Sequence, residues 1–206
     1  MSEKWQPSFG QKDFNIDKQE TLYDGFFQMH KLYLRHKTFA GSEIEIQREL
    51  FYRDDAVCAL LYDAVKQSVV LIEQFRVGAF DSPDGPWLLE LVAGIVEKGE
   101  TTEDVARREA VEEAGAQLGE IKHITRFSPS TGATREYIDL LCAQVDSNGV
   151  EGIHGLPEEG EDIKVHVIPV EDAFELVQQG IINNAPAIIA LQWLQLNKSA
   201  LDQRWQ

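Results

Sequence analysis

The sequence predicts an α/β chain, in the wider sense that includes α+β: a sandwich of mixed strands and helices behind a small N-terminal antiparallel β appendage. Three observations lead there. Long apolar runs at 56–62, 68–75 and 87–92 have the length and content of buried strands. A capped helical segment follows at 102–114. Strand-like stretches near 137–145 and 163–170 then give way to helical ones near 170–178 and 185–196, an order that argues against a solenoid or a bundle.

Each element has its own local reason. Residues 1 to about 18 are polar and without periodicity, whereas 19–52 hold short strand-like segments at 25–29 and 43–48. Strands this few need a further surface to bury their apolar face, so the stretch 1–52 reads as an appendage used in dimerisation, and 53–206 as the main domain. Gly85 with Pro86, and Ala93 with Gly94, punctuate the third long strand. For the helix, Thr101 can cap, Asp104 completes an imperfect capping box, Glu103 and Asp104 suit the positive end, and Gly115 terminates. The last helix is apolar on a broad face at Ile188, Ile189, Leu191, Trp193 and Leu194. Between the two late strands lies a loop, 150–162, rich in Gly and Glu.

Composition narrows the function classes. The 206 residues are 43% hydrophobic and 26% charged, as in ordinary globular proteins. Nineteen basic against thirty-five acidic residues give a net charge of -16, a field that repels a nucleic-acid backbone. A small phosphorylated metabolite remains compatible, because local arginines and divalent cations invert the potential within a cleft. Cys58 and Cys142 sit in apolar runs with no ligand spacing and read as core residues of a reducing compartment. With no apolar leader and no membrane-length run, a cytoplasmic location and no membrane partner are expected.

The chemistry concentrates on the helix at 102–114. Positions three and four apart share a helix face, so Glu109, Glu112 and Glu113 project together, and like charges so placed cost stability. A solvated acidic face is the plain reading of such a run. The alternative is a metal site, since clustered carboxylates offer the hard oxygens that Mg²⁺ accepts alongside water and substrate phosphate.

Gly94, Glu100, then Arg108, Glu109, Glu112, Glu113 and Gly115 stand in the gapless spacing of the Nudix signature, and the chain is identified as a member of the Nudix hydrolases. Seven fixed positions coincide by chance in some 200 windows with a probability on the order of 10⁻⁶. The segments 20–27, 71–76, 86–94 and 184–196 extend the resemblance over nearly the whole chain and make it most similar to the bacterial ADP-ribose pyrophosphatases.

That resemblance implies an α/β/α sandwich, a homodimer, a nucleoside diphosphate sugar as substrate, and two or three Mg²⁺ per site with Mn²⁺ able to substitute. Glu109, Glu112 and Glu113 are implied metal-shell carboxylates, joined by the carbonyl of Ala93 and by Glu161. Arg108 is implied to orient Glu100 or a ligand carboxylate, and Glu159 to be the general base, with Glu158 and Glu161 as neighbouring alternatives. Phe26 and Phe27 would face the base, with Arg48 and Glu49 arriving from the partner. Arg53, Arg76 and Ile95 would face the substrate, and Ser130, Thr131, Gly132 and Glu136 would contact the sugar.

One departure stands out. The ADP-ribose branch commonly carries a proline sixteen residues after the last signature glycine, where this chain has Thr131, with Pro129 two residues earlier. The alternatives are therefore a pyrophosphatase for another sugar nucleotide, such as GDP-mannose or ADP-glucose, or a non-catalytic Nudix sensor. Such a sensor is expected to lose signature ligands, and none is lost here.

Overall fold

The computed structural model describes residues 4–206, which divide into two compact units. In chain order the strands are β1 (Phe14–Asp24), β2 (Gln28–Lys37), β3 (Glu43–Tyr52), β4 (Ala56–Asp63), β5 (Ser68–Phe75), β6 (Trp87–Glu90) and β7 (Val92–Ile95). Helix α1 (Thr102–Ala114) comes next, then β8 (Leu118–Phe127), β9 (Thr134–Arg135), β10 (Ile138–Val145), β11 (Gly152–His154) and β12 (Ile163–Pro169). Helices α2 (Val170–Gln178) and α3 (Ala185–Trp205) close the chain.

The first unit runs to Asp54 and takes in Ser130–Glu136, a stretch that the sequence alone leaves with the larger domain. Its sheet has the order β1-β2-β3-β9, antiparallel except for the short parallel pairing of Phe51 with Thr134 and Tyr52 with Arg135. The strand expected at 25–29 is instead mostly a reversal: 25–27 form the bend between β1 and β2, with Gly25 N–H donating to Phe27 O at 3.1 Å. Gly25 gives the Tyr23 ring room to fold over the bend, since a Cβ there would lie 2.3 Å from the Tyr23 hydroxyl and turn that exposed ring aside. The strands are also longer than their polar residues suggest, β1 starting within the stretch read as featureless.

The second unit is the expected sandwich. Its eight-stranded sheet follows the path β11-β12-β5-β4-β10-β8, with β6 paired to β5 and β7 to β4. Alternation along β4 shows why it is apolar throughout: Val57, Ala59 and Leu61 face one core, Cys58, Leu60 and Tyr62 the other. The first core is closed by α1 through Val105, Ala106, Ala110 and Ala114, and the second by α2 and α3 through Phe174, Leu191 and Leu194. Helix α3 runs well past the expected end near 196, because Leu201 and Trp205 are buried in that second core.

Strand β8 is absent from the sequence reading. Its apolar residues alternate imperfectly with Glu120, Lys122 and His123, the pattern of an edge strand paired on one side only, to β10. Among the described residues no helix is long and apolar enough to cross a membrane.

Candidate active site

The site begins with a split in the sheet. Strands β4 and β5 pair only through Leu61 to Asp63 against Val70 to Ser68, then part company. The segment holding β6 and β7 enters the gap, with β6 on the far half of β5 (Ile72↔Glu90 to Phe75↔Trp87) and β7 on the near half of β4 (Ala56↔Ile95 to Ala59↔Val92). Ala93 and Gly94, expected to punctuate a strand, are thus inside β7 and lie against α1.

Helix α1 forms as expected. The Thr101 hydroxyl accepts from Asp104 N–H, the Asp104 carboxylate accepts from Thr101 N–H, and Gly115 ends the helix at φ 62°. The buried face is mostly alanine, which lets the helix come close to the sheet, and Glu113 falls on that face at 2% exposure. Ala93 N–H donates to Glu113 Oε2 at 2.9 Å. Glu109 fills the space over Gly94, where a Cβ would sit 1.9 Å from Glu109 Oε1. Arg108 ties the carboxylates together, donating to Glu109 at 2.7 Å, to Glu112 at 3.2 Å and to Glu100 at 3.2 Å.

Burial and mutual repulsion raise the proton affinity of this carboxylate cluster. Burial pushes the Glu113 carboxyl up to about 8, with Glu109 and Glu161 adding repulsion and the Ala93 N–H opposing it. Burial likewise lifts Glu109 to about 7; Arg108 opposes, while Glu112 and Glu161 reinforce. The 155–162 loop is pinned beside them by Gly155 N–H to the Glu112 carbonyl at 3.1 Å. Glu161 Oε2 accepts from Leu156 N–H at 2.9 Å, and Gly155 leaves room for the Glu161 side chain. Glu158 and Glu159 stand exposed on a short 3-10 turn in which Glu159 N–H donates to the Leu156 carbonyl at 2.9 Å, and neither carboxylate forms a hydrogen bond or ion pair among the described residues.

Arg76 extends the row of β5 and binds Glu90 on β6 at 2.6 Å, and its charge acts on Glu113. Ile95, partly exposed, ends β7. The structure adds two residues that the sequence analysis did not single out. Glu90 could have been suspected from its place in the 86–94 segment and Gln74, a buried amide next to Arg76 in the row, from its place in the 71–76 segment, though nothing local marks either residue within its strand.

The remaining expected residues belong to the first unit. Phe27 packs edge-on against Phe26 and Phe51, and the Arg53 guanidinium lies 4.8 Å from its ring centre. Phe26 is 84% exposed. Arg53 pairs with the buried Glu136 at 3.5 Å. Arg48 is exposed and donates to its neighbour's carbonyl, and Glu49, Ser130, Thr131 and Gly132 are exposed as well.

The NUDIX domain model matches residues 52–193 of this chain. The chain belongs to the Nudix family. It is 47% identical over 199 residues to an ADP-ribose pyrophosphatase of Escherichia coli (strain K12), covering 96% of this chain and 95% of that protein. An ADP-ribose pyrophosphatase of Haemophilus influenzae is 46% identical, with 96% and 93% covered. A GDP-mannose pyrophosphatase of Enterobacter sp. is 35% identical, with 88% and 95% covered. A crystal structure titled as an ADP compounds hydrolase superposes with a TM-score of 0.71 at 20% identity, over 94% of this chain and 98% of its own, a likeness of fold.

The donor set suits the divalent cation that a Nudix site implies. Glu109 and Glu113 offer hard oxygens from a buried position where only a cation or a proton relieves their repulsion, and Gly94 keeps the space over β7 open for Glu109. Among the described residues no three His, Cys, Asp or Glu side chains are grouped so as to hold a metal ion by themselves. Mg²⁺ is commonly held by one or two carboxylates, with water and substrate oxygens completing the shell.

Proposed function

We propose that this Nudix protein is a Mg²⁺-dependent hydrolase that cleaves the pyrophosphate of ADP-ribose to AMP and ribose 5-phosphate, acting as a cytoplasmic homodimer. The observation that carries the reading is the buried Glu109 and Glu113 pair, held over β7 by Gly94 and the Ala93 N–H and braced by Arg108. The choice of ADP-ribose draws on relatives of that name at 46–47% identity over nearly the full chain.

Hydrolysis adds water across the P–O–P bridge: a new P–O bond forms to one phosphorus while the bridging oxygen leaves with the other phosphate. Bound Mg²⁺ would neutralise non-bridging oxygens and lower the cost of the attacking hydroxide. Glu109, Glu113, Glu112, Glu161 and the Ala93 carbonyl are the groups to hold it. Arg108 positions Glu109 and Glu112 by direct hydrogen bonds. Glu159 takes the proton of the attacking water, its exposed place on a short turn leaving its carboxylate free for that task. Arg76 and Arg53 suit phosphate through paired N–H donors. Ile95 lies beside the substrate, and Ser130, Thr131, Gly132 and Glu136 contact the terminal sugar. Phe26 and Phe27 stack on the base, with Arg48 and Glu49 supplied by a second copy.

Purified protein with Mg²⁺ is expected to release AMP and ribose 5-phosphate from ADP-ribose faster than it cleaves GDP-mannose or ADP-glucose. The GDP-mannose relative and the displaced Pro129 make those sugars the proper controls, and equal rates would move the assignment to them. Glu113→Gln should remove metal-dependent turnover from a folded protein. Glu159→Gln should lower kcat by about 10²–10⁴-fold with little change in affinity. The same loss from Glu158→Gln alone would relocate the base.

A further inference from the structure

Among the described residues, Gln74 Nε2 is one of two buried side-chain nitrogen or oxygen atoms without a hydrogen-bond partner. Gln74 is 6% exposed, so water does not serve it in bulk. An amide N–H buried without an acceptor costs stability, which is why such groups are rare and cluster where a ligand completes them.

Its position in the sheet says which ligand. On β5 the side chains alternate, and Val70 and Ile72 face the core under α1; Gln74 continues that row and Arg76 follows it. The cross-strand partners agree: Glu90, opposite Ile72, reaches Arg76 at 2.6 Å, and directly paired residues share a face. On the other side of β5, Val165 pairs with Ile72 and shares the same core, as does Ile163 at the start of β12, and the loop that carries Glu161 leads into that strand. Gln74 therefore occupies the buried end of a row whose exposed end is Arg76, on the face that carries Glu109, Glu113 and Glu161.

The nearby carboxylates each hold another donor, Glu90 the Arg76 guanidinium, Glu113 the Ala93 N–H and Glu161 the Leu156 N–H, and none of them reaches Gln74 Nε2. A substrate oxygen brought to this face would supply the missing acceptor. We propose that Gln74 is a substrate-binding residue whose Nε2–H donates to a non-bridging oxygen of the pyrophosphate, beside the guanidinium of Arg76. This rests on the functional reading above and adds to it a neutral donor, which holds an anionic oxygen without competing for the cation that the carboxylates serve.

Gln74→Leu, close in volume and without the donor, tests it. Binding of a methylene-bridged, non-hydrolysable ADP-ribose analogue with Mg²⁺ is measured by calorimetry, KM and kcat by product release, and the ligand-free melting temperature by scanning calorimetry. The expected result is an affinity and KM worse by about tenfold, as for one lost hydrogen bond to a charged group, with a melting temperature unchanged or raised because an unsatisfied donor is gone. The same loss on GDP-mannose, if the wild type takes it, would agree, since the pyrophosphate is common to both. Affinity within twofold of wild type would overturn the proposal, and so would a melting temperature several degrees lower, which marks a packing role. A wild-type protein that binds no ADP-ribose analogue would sink the functional reading and this proposal with it, whereas wild-type binding with an unaffected variant sinks only the latter.

Discussion

Glu113 lies on α1 between Ala110 and Ala114, an apolar place that raises its proton affinity to about 8, with Glu109 near 7 for the same reason. Both values exceed the ordinary 4.5, so the unfolded chain loses these protons first. Their contribution to stability is present below about pH 4.5 and is lost as pH rises through about 7 and 8. Asp63, Asp104 and Asp202 are shifted the other way. Burial raises Asp63 and Asp202, but several hydrogen bonds outweigh it and hold both below 3.8; Thr101 does the same for Asp104. Their contribution is present above 3.8 and lost as pH falls further, outside the first window. In chelator the melting temperature should therefore fall from about pH 5 to about pH 9, and saturating Mg²⁺ should flatten the fall. Glu113→Gln, a neutral isostere, should remove most of the slope without metal; an undiminished slope would place the titration on another group.

At the scale of elements, the contact between α1 and β7 decides the site. Gly94 has no unusual backbone angle; its requirement is steric, because any Cβ would collide with the Glu109 carboxylate at 1.9 Å. Gly94→Ala should displace Glu109 from its bond to Arg108, cost about 1–3 kcal/mol of stability from overpacking, and lose most metal-dependent turnover. A melting curve and a Mg²⁺ titration of activity check it, and full activity at ordinary Mg²⁺ would show that Glu109 can be held elsewhere. The helix itself was legible from Thr101, Asp104 and Gly115, because caps act over four residues. The edge strand β8 was not, because its stability comes from pairing with β10 and half its residues are polar. Phe26 and Phe27 look like strand residues by composition and form the end of a strand reversal closed by Gly25 N–H on the Phe27 carbonyl.

For the whole molecule, the first unit presents the surface on which assembly would be built. Strand β1 is exposed almost throughout, Ile16 and Leu22 included, and Phe39 and Ile44 of the same unit are exposed too. A long bare edge strand invites pairing, and these exposed apolar side chains are where a second copy would be expected to pack. Sedimentation equilibrium at micromolar concentration should give twice the 23.3 kDa chain mass. Ile16→Lys with Ile44→Lys should shift the mass toward one chain, and a wild-type protein that sediments as a monomer at all concentrations would refute the dimer.

By itself the sequence determined the sandwich, the signature helix with both its ends, and the reach of the family likeness, because these depend on short-range periodicity, capping and a spacing of carboxylates within about twenty residues. Only the tertiary structure decided that Ala93 and Gly94 form a strand under that helix, that Arg108 binds three carboxylates at once, and that Ser130–Glu136 joins the first unit. It also set the buried, unpartnered state of Gln74. The place of Ala93 and Gly94 depends on where β4 and β5 separate and that of Ser130–Glu136 on its pairing with β3, contacts between residues far apart in the chain that no local pattern encodes, whereas the Arg108 bonds join near neighbours whose side-chain directions only the fold fixes.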